Sequence, residues 1–375
     1  MFSDEQIKLF KVIQQAGEAK GVNIFIVGGI LRDIFLGQEP GDKDIDFIVE
    51  GNAIEFADSL LKTCSGELKK FNEFYTAKIV SPGSFASIRE IDFASSRSET
   101  YEKPGSLPTV SLAPIKEDLK RRDFSINAMA VKLSDLLAWE LKPDASLAEL
   151  RLVTLDFFEG FADLEKRIVR ILHPQSFEDD PTRIFRAARY ASRIAGSIEA
   201  KTEEAAIQAV GAGCLSTISD RRKLNEIRKI IAEKEIGEAL SFLERIGVFE
   251  RMRLYMPSRH DEVVELIQLI RSGWEMDEEL FYQSVVRVFF YCSYGNDADK
   301  KDAEEAYSVL GFGSNEIKKL SYDTRNDLDL VQRQSLQRLS KSGLIVQAAI
   351  NRDRPIGGLL KYAEEQALLQ KPLPK

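Results

Sequence analysis

The sequence predicts a strand-and-helix domain, α/β or α+β in class, joined to an all-helical second half. Three observations predict it. Short apolar runs rich in β-branched and aromatic residues alternate with helical stretches as far as about residue 131. From about residue 157 the apolar residues recur at i, i+3 and i+4, as in ADLEKRIVRIL, TRIFRAARYASRI, LNEIRKIIAE and IGEALSFLERIGVF. Between the two lies 141–150, with KPDASLAE inside it, which has the Pro, Asp and Ser of a connection.

In order, the amphipathic, mixed-charge N-terminus predicts a helix over 4–20 and the apolar run Ile24–Val27 a buried strand; Gly28-Gly29 then opens a helix. Ile45–Val49 reads as the next strand, with a helix from Asn52, and further strands fall at Thr76–Val80, Ile88–Phe93 and Ile126–Val131. The 375 residues, 44% hydrophobic and 30% charged, suit a folded protein of two or three domains and exclude a disordered or collagenous chain. Three cysteines without a CxxC pair and two histidines argue against a zinc cluster or a disulfide framework. No secretory leader is read at the N-terminus and no apolar run is long enough to span a bilayer, so a cytoplasmic protein is expected. A net charge of −8 disfavours nonspecific coating of nucleic acid but leaves room for a local basic groove.

The chemistry is concentrated in a few segments. In IFIVGGILRDIFLG a strand runs into two glycines at a helix start, where unpaired N–H groups and the helix dipole face an anion. Alone this turn is as compatible with plain packing. It lacks the GxGxxG of a dinucleotide site and the GKS or GKT of a phosphate loop. About fifteen residues downstream, GDKDIDFIVEG alternates Asp42, Asp44 and Asp46, and period two puts them on one strand face. By themselves these acids read as readily as a polar turn; aligned like charges on a rigid strand otherwise imply a cation between them, and carboxylate oxygens suit Mg²⁺. Together, glycine turn and carboxylates read as a nucleotidyltransferase site. Further on, Asp180, Arg183, Arg186 and Arg189 recur every three residues along one helix, either as an exposed ion-pair stripe or as a ligand-facing one.

These segments resemble the class II tRNA nucleotidyltransferases (CCA-adding enzymes) and their bacterial poly(A) polymerase relatives. GGILRDIFLG with DIDFIVEGNAIEFA is similar to the family's first motif, and RRDFSINAMA, from Arg121 to Ala130, to its second. EGFADLEKRIVRIL is similar to the third, DDPTRIFRAARY, from Asp179 to Tyr190, to the nucleotide-selecting fourth, and ISDRRKLNEIRKIIAE to the neck. The resemblance covers roughly residues 22 to 257. The turn before the carboxylates is two residues longer than in many members, and the aspartate pair is assigned by alignment to Asp44 and Asp46. FNEFYTAKIV resembles the tRNA-type segment rather than the basic run of polyadenylating members.

The resemblance implies an α+β head with a mixed sheet over 1–145, a helical neck carrying the nucleotide-selecting helix over 146–257, and a helical, tRNA-contacting body over 258–375. It implies Mg²⁺ as cofactor and tRNA, CTP and ATP as partners, with C, A or both added to the tRNA 3′ end. Asp44 and Asp46 would be the catalytic metal ligands, with one ion activating the 3′ hydroxyl and another binding the triphosphate. Gly29 and Arg32 would meet phosphate, Arg122 the nucleotide, and Asp123 and Asn127 would order the site around the ribose. Asp180 and Arg183 offer an acceptor and donors that suit cytosine and adenine but not uracil and guanine. Arg186 and Arg189 would contact nucleotide or primer phosphates, and Arg221, Arg222, Lys223, Arg228 and Lys229 the acceptor stem. Asp92, in REIDFASSR, is a candidate third carboxylate on a neighbouring strand, but the family does not uniformly place an acid there, and it stays outside the assigned set.

Overall fold

The structure, a computed structural model, describes residues 2–38, 45–85, 87–103 and 105–252. The expected body domain over 258–375 lies outside the described residues, as do Asp42 and Asp44. The chain divides into two compact units, the first Met1–Arg183 with Ile194–Ala205, the second Ile184–Arg193 with the described residues from Ala206.

The first unit opens with α1 (Asp4–Lys20), started by a capping box in which Ser3 and Gln6 satisfy each other's backbone donors. It is stopped by Gly21 in the left-handed region. β1 (Asn23–Val27), α2 (Gly29–Phe35), β2 (Asp46–Glu50) and α3 (Ala53–Cys64) follow the expected order, α3 beginning at an Asn52 cap. Next come β3 (Glu67–Phe71), β4 (Thr76–Val80), β5 (Glu90–Ser95), the β6 (Arg97–Thr100) and β7 (Thr109–Leu112) ribbon, and α4 (Ile115–Lys120). β8 (Met129–Lys132), α5 (Leu133–Glu140), α6 (Leu147–Val153), β9 (Thr154–Asp156) and α7 (Gly160–Glu165) close the sheet-bearing part. β10 (Ile168–Val169), α8 (Ser176–Asp179), α9 (Thr182–Arg193), β11 (Ser197–Ile198) and α10 (Ala200–Gly211) come after it, with β10 and β11 paired in parallel.

The main sheet runs β3-β4-β5-β2-β1-β8-β9. Only its central pair, β2 with β5, is parallel, so the sheet is mixed and the class is α+β as expected. Because strand side chains alternate, one face carries Ile26, Phe47 and Phe93 and the other Phe25, Val27, Ile48 and Ala130. The first face packs rings edge to face: Phe10 of α1 against Phe47 at 5.7 Å and Phe56 of α3 against Phe93 at 5.4 Å. The second is covered by Ile115 and Leu119 of α4. β9 pairs with β8, so the sheet extends past residue 145, where the turn-rich segment marked a boundary; that segment instead caps α6 through Ser146 and Glu149 and leads back into the sheet.

Whereas the stretch from 146 to 200, expected to be all-helical, contains β9, β10 and β11, with β10 inside the ADLEKRIVRIL segment, the second unit is helical in its described part. Besides most of α9 and the end of α10 it contains α11 (Asp220–Ala232), α12 (Gly237–Arg245) and α13 (Val248–Arg251), packed through Ile230, Ile231, Leu240, Phe242, Leu243 and Val248. Among the described residues no helix is long and apolar enough to cross a membrane.

Candidate active site

β1 delivers its chain into a bend at Gly28, where φ is +74° and ψ −132°, a conformation that L side chains rarely adopt. The Gly28 N–H donates to the Met129 carbonyl at 3.2 Å, which ties the bend to β8. α2 has only seven residues, so its dipole is small; what the bend supplies is bare backbone with two guanidinium groups closing on it. A Cβ on Gly28 would lie 3.1 Å from Arg122 Nη1, and one on Gly29 3.3 Å from Arg32 Nη2.

Arg32 departs from its expected role. It lies on the inner face of α2 with Ile30, Leu31, Asp33 and Ile34, and is 1% exposed. A guanidinium so buried must be paired, and Nε and Nη2 donate to Asp33 Oδ1 at 2.9 and 2.7 Å while Nη1 donates to Asn127 Oδ1 at 2.8 Å. Asn127 in turn donates to Asp123 Oδ1 at 3.1 Å. Arg32 thus braces the glycine bend from within and joins it to the segment of Asp123 and Asn127.

Asp46 opens β2 beside the end of β1, one residue before the Phe47–Ile26 pair and therefore next to the bend. Directly opposite it on β5 is Asp92, and opposite Asp92 on β4 is Lys78. The three form one row across three strands on the face that α4 covers further along. Lys78 Nζ lies 3.2 Å from Asp92 Oδ2 and 2.6 Å from Glu90 Oε1. Burial pushes the Asp92 carboxyl up, Lys78 pulls it down, and the Asp46 and Glu90 charges push it up again. The Lys78 ammonium is raised, chiefly by its hydrogen bond to Glu90. Two facing carboxylates with a raised member are an oxygen donor set that a divalent cation would relieve, so Asp46 and Asp92 fit Mg²⁺. Asp92, absent from the assigned residues, is placed by register between strands far apart in sequence, which no local pattern reports.

Beyond the bend, α4 carries Asp118, which is fully buried beneath two arginines. Its Oδ1 accepts from Arg121 Nη2 at 2.6 Å and Nε at 3.1 Å, and its Oδ2 from Arg122 Nη2 at 3.1 Å and Nε at 3.3 Å. Burial would raise this carboxyl, but the Arg122 and Arg121 guanidiniums outweigh it and hold it below the usual carboxylate range. Glu99 of β6 takes Arg121 Nη1 at 2.7 Å and the Tyr101 hydroxyl at 2.8 Å. Burial first, and then Glu99, pushes that phenol up.

The same unit holds Asp180 and Arg183. Asp180 Oδ1 accepts from the Thr182 N–H at 3.0 Å and its hydroxyl at 2.7 Å, so this carboxylate caps the start of α9. Arg183 is 6% exposed; Nη1 donates to Ser176 Oγ at 2.7 Å and Nη2 to the Arg121 carbonyl at 2.9 Å. The Arg183 charge, after burial, also pushes down the neighbouring His173 imidazole. Gly105, in the β6–β7 loop, donates its N–H to the Glu178 carbonyl of α8 at 3.1 Å.

Residues 24–170 match the family model described as the Poly A polymerase head domain. An A-adding tRNA nucleotidyltransferase of Aquifex aeolicus (strain VF5) is 39% identical over 228 residues, 61% of this chain and 25% of that one. The enzyme of the same name from Halalkalibacterium halodurans (strain ATCC BAA-125 / DSM 18197 / FERM 7344 / JCM 9153 / C-125) is 34% identical over 252 residues, 67% of this chain and 55% of that one. A solved structure of a CCA-adding enzyme, apo form II, superposes with a TM-score of 0.70 at 29% identity, covering 98% of this chain and 84% of that one. The chain carries a stretch matching this head domain and resembles tRNA nucleotidyltransferases in sequence and a CCA-adding enzyme in fold. It spans about a quarter of the Aquifex relative and about half of the other.

The arginines that α9 contributes to the second unit are also largely inside. Arg186 donates from Nη2 to the Tyr190 hydroxyl at 3.2 Å. Arg189, 7% exposed, lies 4.7 Å from the Tyr190 ring and 3.7 Å from Glu226 Oε2. The period-three stripe of α9 is therefore not an exposed ion-pair face: Arg183 and Arg189 are buried and Arg186 is half-buried. On α11, Arg221, Arg228 and Lys229 are exposed.

Proposed function

We propose that this chain is a Mg²⁺-dependent, template-independent nucleotidyltransferase that adds nucleotides to the 3′ end of tRNA, drawing on ATP and CTP. The observation that carries the reading is the corner where the Gly28 bend, Arg122 and the Asp46–Asp92 pair meet on one side of the sheet. Within that reading A-addition is favoured, because the relatives at 39% and 34% identity are A-adding enzymes. Synthesis of the complete CCA end is the second reading, on the likeness to a CCA-adding enzyme structure. A tRNA substrate goes with a cytoplasmic location.

The triphosphate would lie against the backbone of the bend, with Arg122 Nη1 donating a charge-assisted hydrogen bond to a phosphate oxygen. Arg32 would keep the bend in shape from beneath. Asp46 and Asp92, with Asp44 adjoining in sequence, would hold Mg²⁺, which when bound supplies positive charge to the triphosphate and to the attacking 3′ oxygen. At the other end Asp180 and Arg183 would face the base, and a base with reversed donors and acceptors would leave buried groups unpaired.

The test is incorporation of labelled ATP and CTP, each offered singly, on tRNA ending at the discriminator base, at C or at CC. A-addition predicts one A on the CC primer and no C on any. Incorporation of both nucleotides in order supports the second reading. No incorporation on any primer overturns both.

A further inference from the structure

We infer that Asp118 is a positioning residue that holds the triphosphate end and the base end of the nucleotide site in one fixed relation. The inference rests on the function proposed above. Asp118 is fully buried and divides its carboxylate, Oδ2 taking the Nε–Nη2 edge of Arg122 and Oδ1 the Nε–Nη2 edge of Arg121. Engaging that edge of Arg122 turns the remaining nitrogen, Nη1, to the Gly28 bend, 3.1 Å from where a Cβ would stand. Engaging Arg121 fixes the backbone whose carbonyl accepts Arg183 Nη2 at 2.9 Å. One side chain therefore aims the arginine assigned to phosphate and anchors the arginine assigned to the base. Arg97 closes the arrangement: its N–H donates to Asp118 Oδ1 at 3.3 Å and its carbonyl accepts from Arg121 Nε at 3.1 Å.

An acidic residue that touched the nucleotide would repel its phosphates. Asp118 has no solvent exposure and meets no substrate, so its effect must pass through the two arginines. A planar guanidinium held by two parallel hydrogen bonds loses rotational freedom that a lone arginine keeps, and its donor reaches the phosphate already oriented. This predicts an effect on two properties that a general loosening of α4 would not link: affinity for the triphosphate, and discrimination among bases.

The test is a double-mutant cycle on the full chain, with equilibrium binding of ATP and the kcat/KM ratio of ATP over UTP as readouts. Arg122→Lys alone tests the underlying site: unchanged ATP affinity in that variant overturns the function reading itself, whatever Asp118 does. Given a loss there, Asp118→Asn should weaken ATP binding by roughly 10- to 100-fold. The double variant should bind no worse than the weaker single, because Arg122 is already misaimed. Asp118→Asn should also narrow the ATP-over-UTP ratio, whereas Arg122→Lys leaves it in place. Additive losses, or an ATP-over-UTP ratio unmoved by Asp118→Asn, overturn the inference. If Asp118→Asn is not folded at the assay temperature, Asp118→Glu, which keeps the charge but displaces it by one methylene, is read against the same criteria.

Discussion

The glycine bend and the carboxylate row stand side by side on the same sheet, yet they are built on opposite plans. At the bend, a fully buried Asp118 clamps Arg121 and Arg122, and a 1% exposed Arg32 is locked to Asp33 and Asn127. Along the row, Asp92 and Lys78 are each about a quarter to a third open to water and Asp46 is exposed. Under the proposed function the difference follows from what each would have to meet. A triphosphate is recognised by donors fixed in advance, for which burial and hydrogen bonding provide rigidity. A hydrated divalent ion needs carboxylates that can adjust and exchange water, which exposure provides.

The largest expected effect belongs to the row: Asp46→Ala should abolish incorporation of every nucleotide while leaving thermal unfolding unchanged, and measurable turnover would move the chemistry elsewhere. The two plans should then separate sharply in stability. Asp118→Asn takes the buried counter-charge from two part-buried guanidiniums and should cost about 3 kcal/mol, whereas Lys78→Met, in a more open ion pair, should cost less than about 1 kcal/mol. Equal costs in chemical denaturation would erase the contrast.

Gly28→Ala forces an L residue to φ +74° with its Cβ 3.1 Å from Arg122 Nη1. The strain should cost about 1–3 kcal/mol and ATP affinity should fall with it; calorimetry and ligand binding on one preparation check both. Arg183→Ala should narrow ATP-over-UTP selectivity by roughly tenfold or more with a smaller fall in ATP turnover. Equal loss for all four nucleotides would detach Arg183 from base reading.

The smallest effect concerns pH. His173 titrates below its ordinary value because of burial and then the Arg183 charge, with Asp179 opposing. In the folded state the neutral form is favoured, so the unfolded chain takes up the proton first as pH falls. Stability should be complete above about pH 6.5 and decline as pH drops below it. His173→Gln should flatten that decline in melting temperature between neutral and mildly acidic pH.

Much of the strand and helix order was legible because each element announces itself locally. Ser3 and Asn52 cap helices, Gly21 ends one, and the unbroken apolar runs around Ile24 and Phe47 mark strands with both faces covered. β3, exposed along nearly its whole length, and the β6–β7 ribbon escaped the periodicity because they bury little and carry weak alternation. The glycine bend was legible only in combination with the aspartates downstream, because Gly-Gly after an apolar strand is by itself as compatible with plain packing. Arg32 was expected to meet phosphate but is covered: a helix start gives no indication of which face another segment will cover, and the segment that covers it, Asp123–Asn127, lies some ninety residues on.

By itself the sequence determined the elements, the bend and the identity of the acids and arginines, since capping, periodicity and glycine content act over a few residues. Only the tertiary structure decided that Asp92 faces Asp46, that Lys78 stands behind it, and that Asp118 holds Arg121 and Arg122 together below the Arg183 contact. Those relations depend on strand register and on burial, and both are set by the packing of segments far apart in the chain; a one-residue slip would turn Asp46, Asp92 or Lys78 to the other face of the sheet.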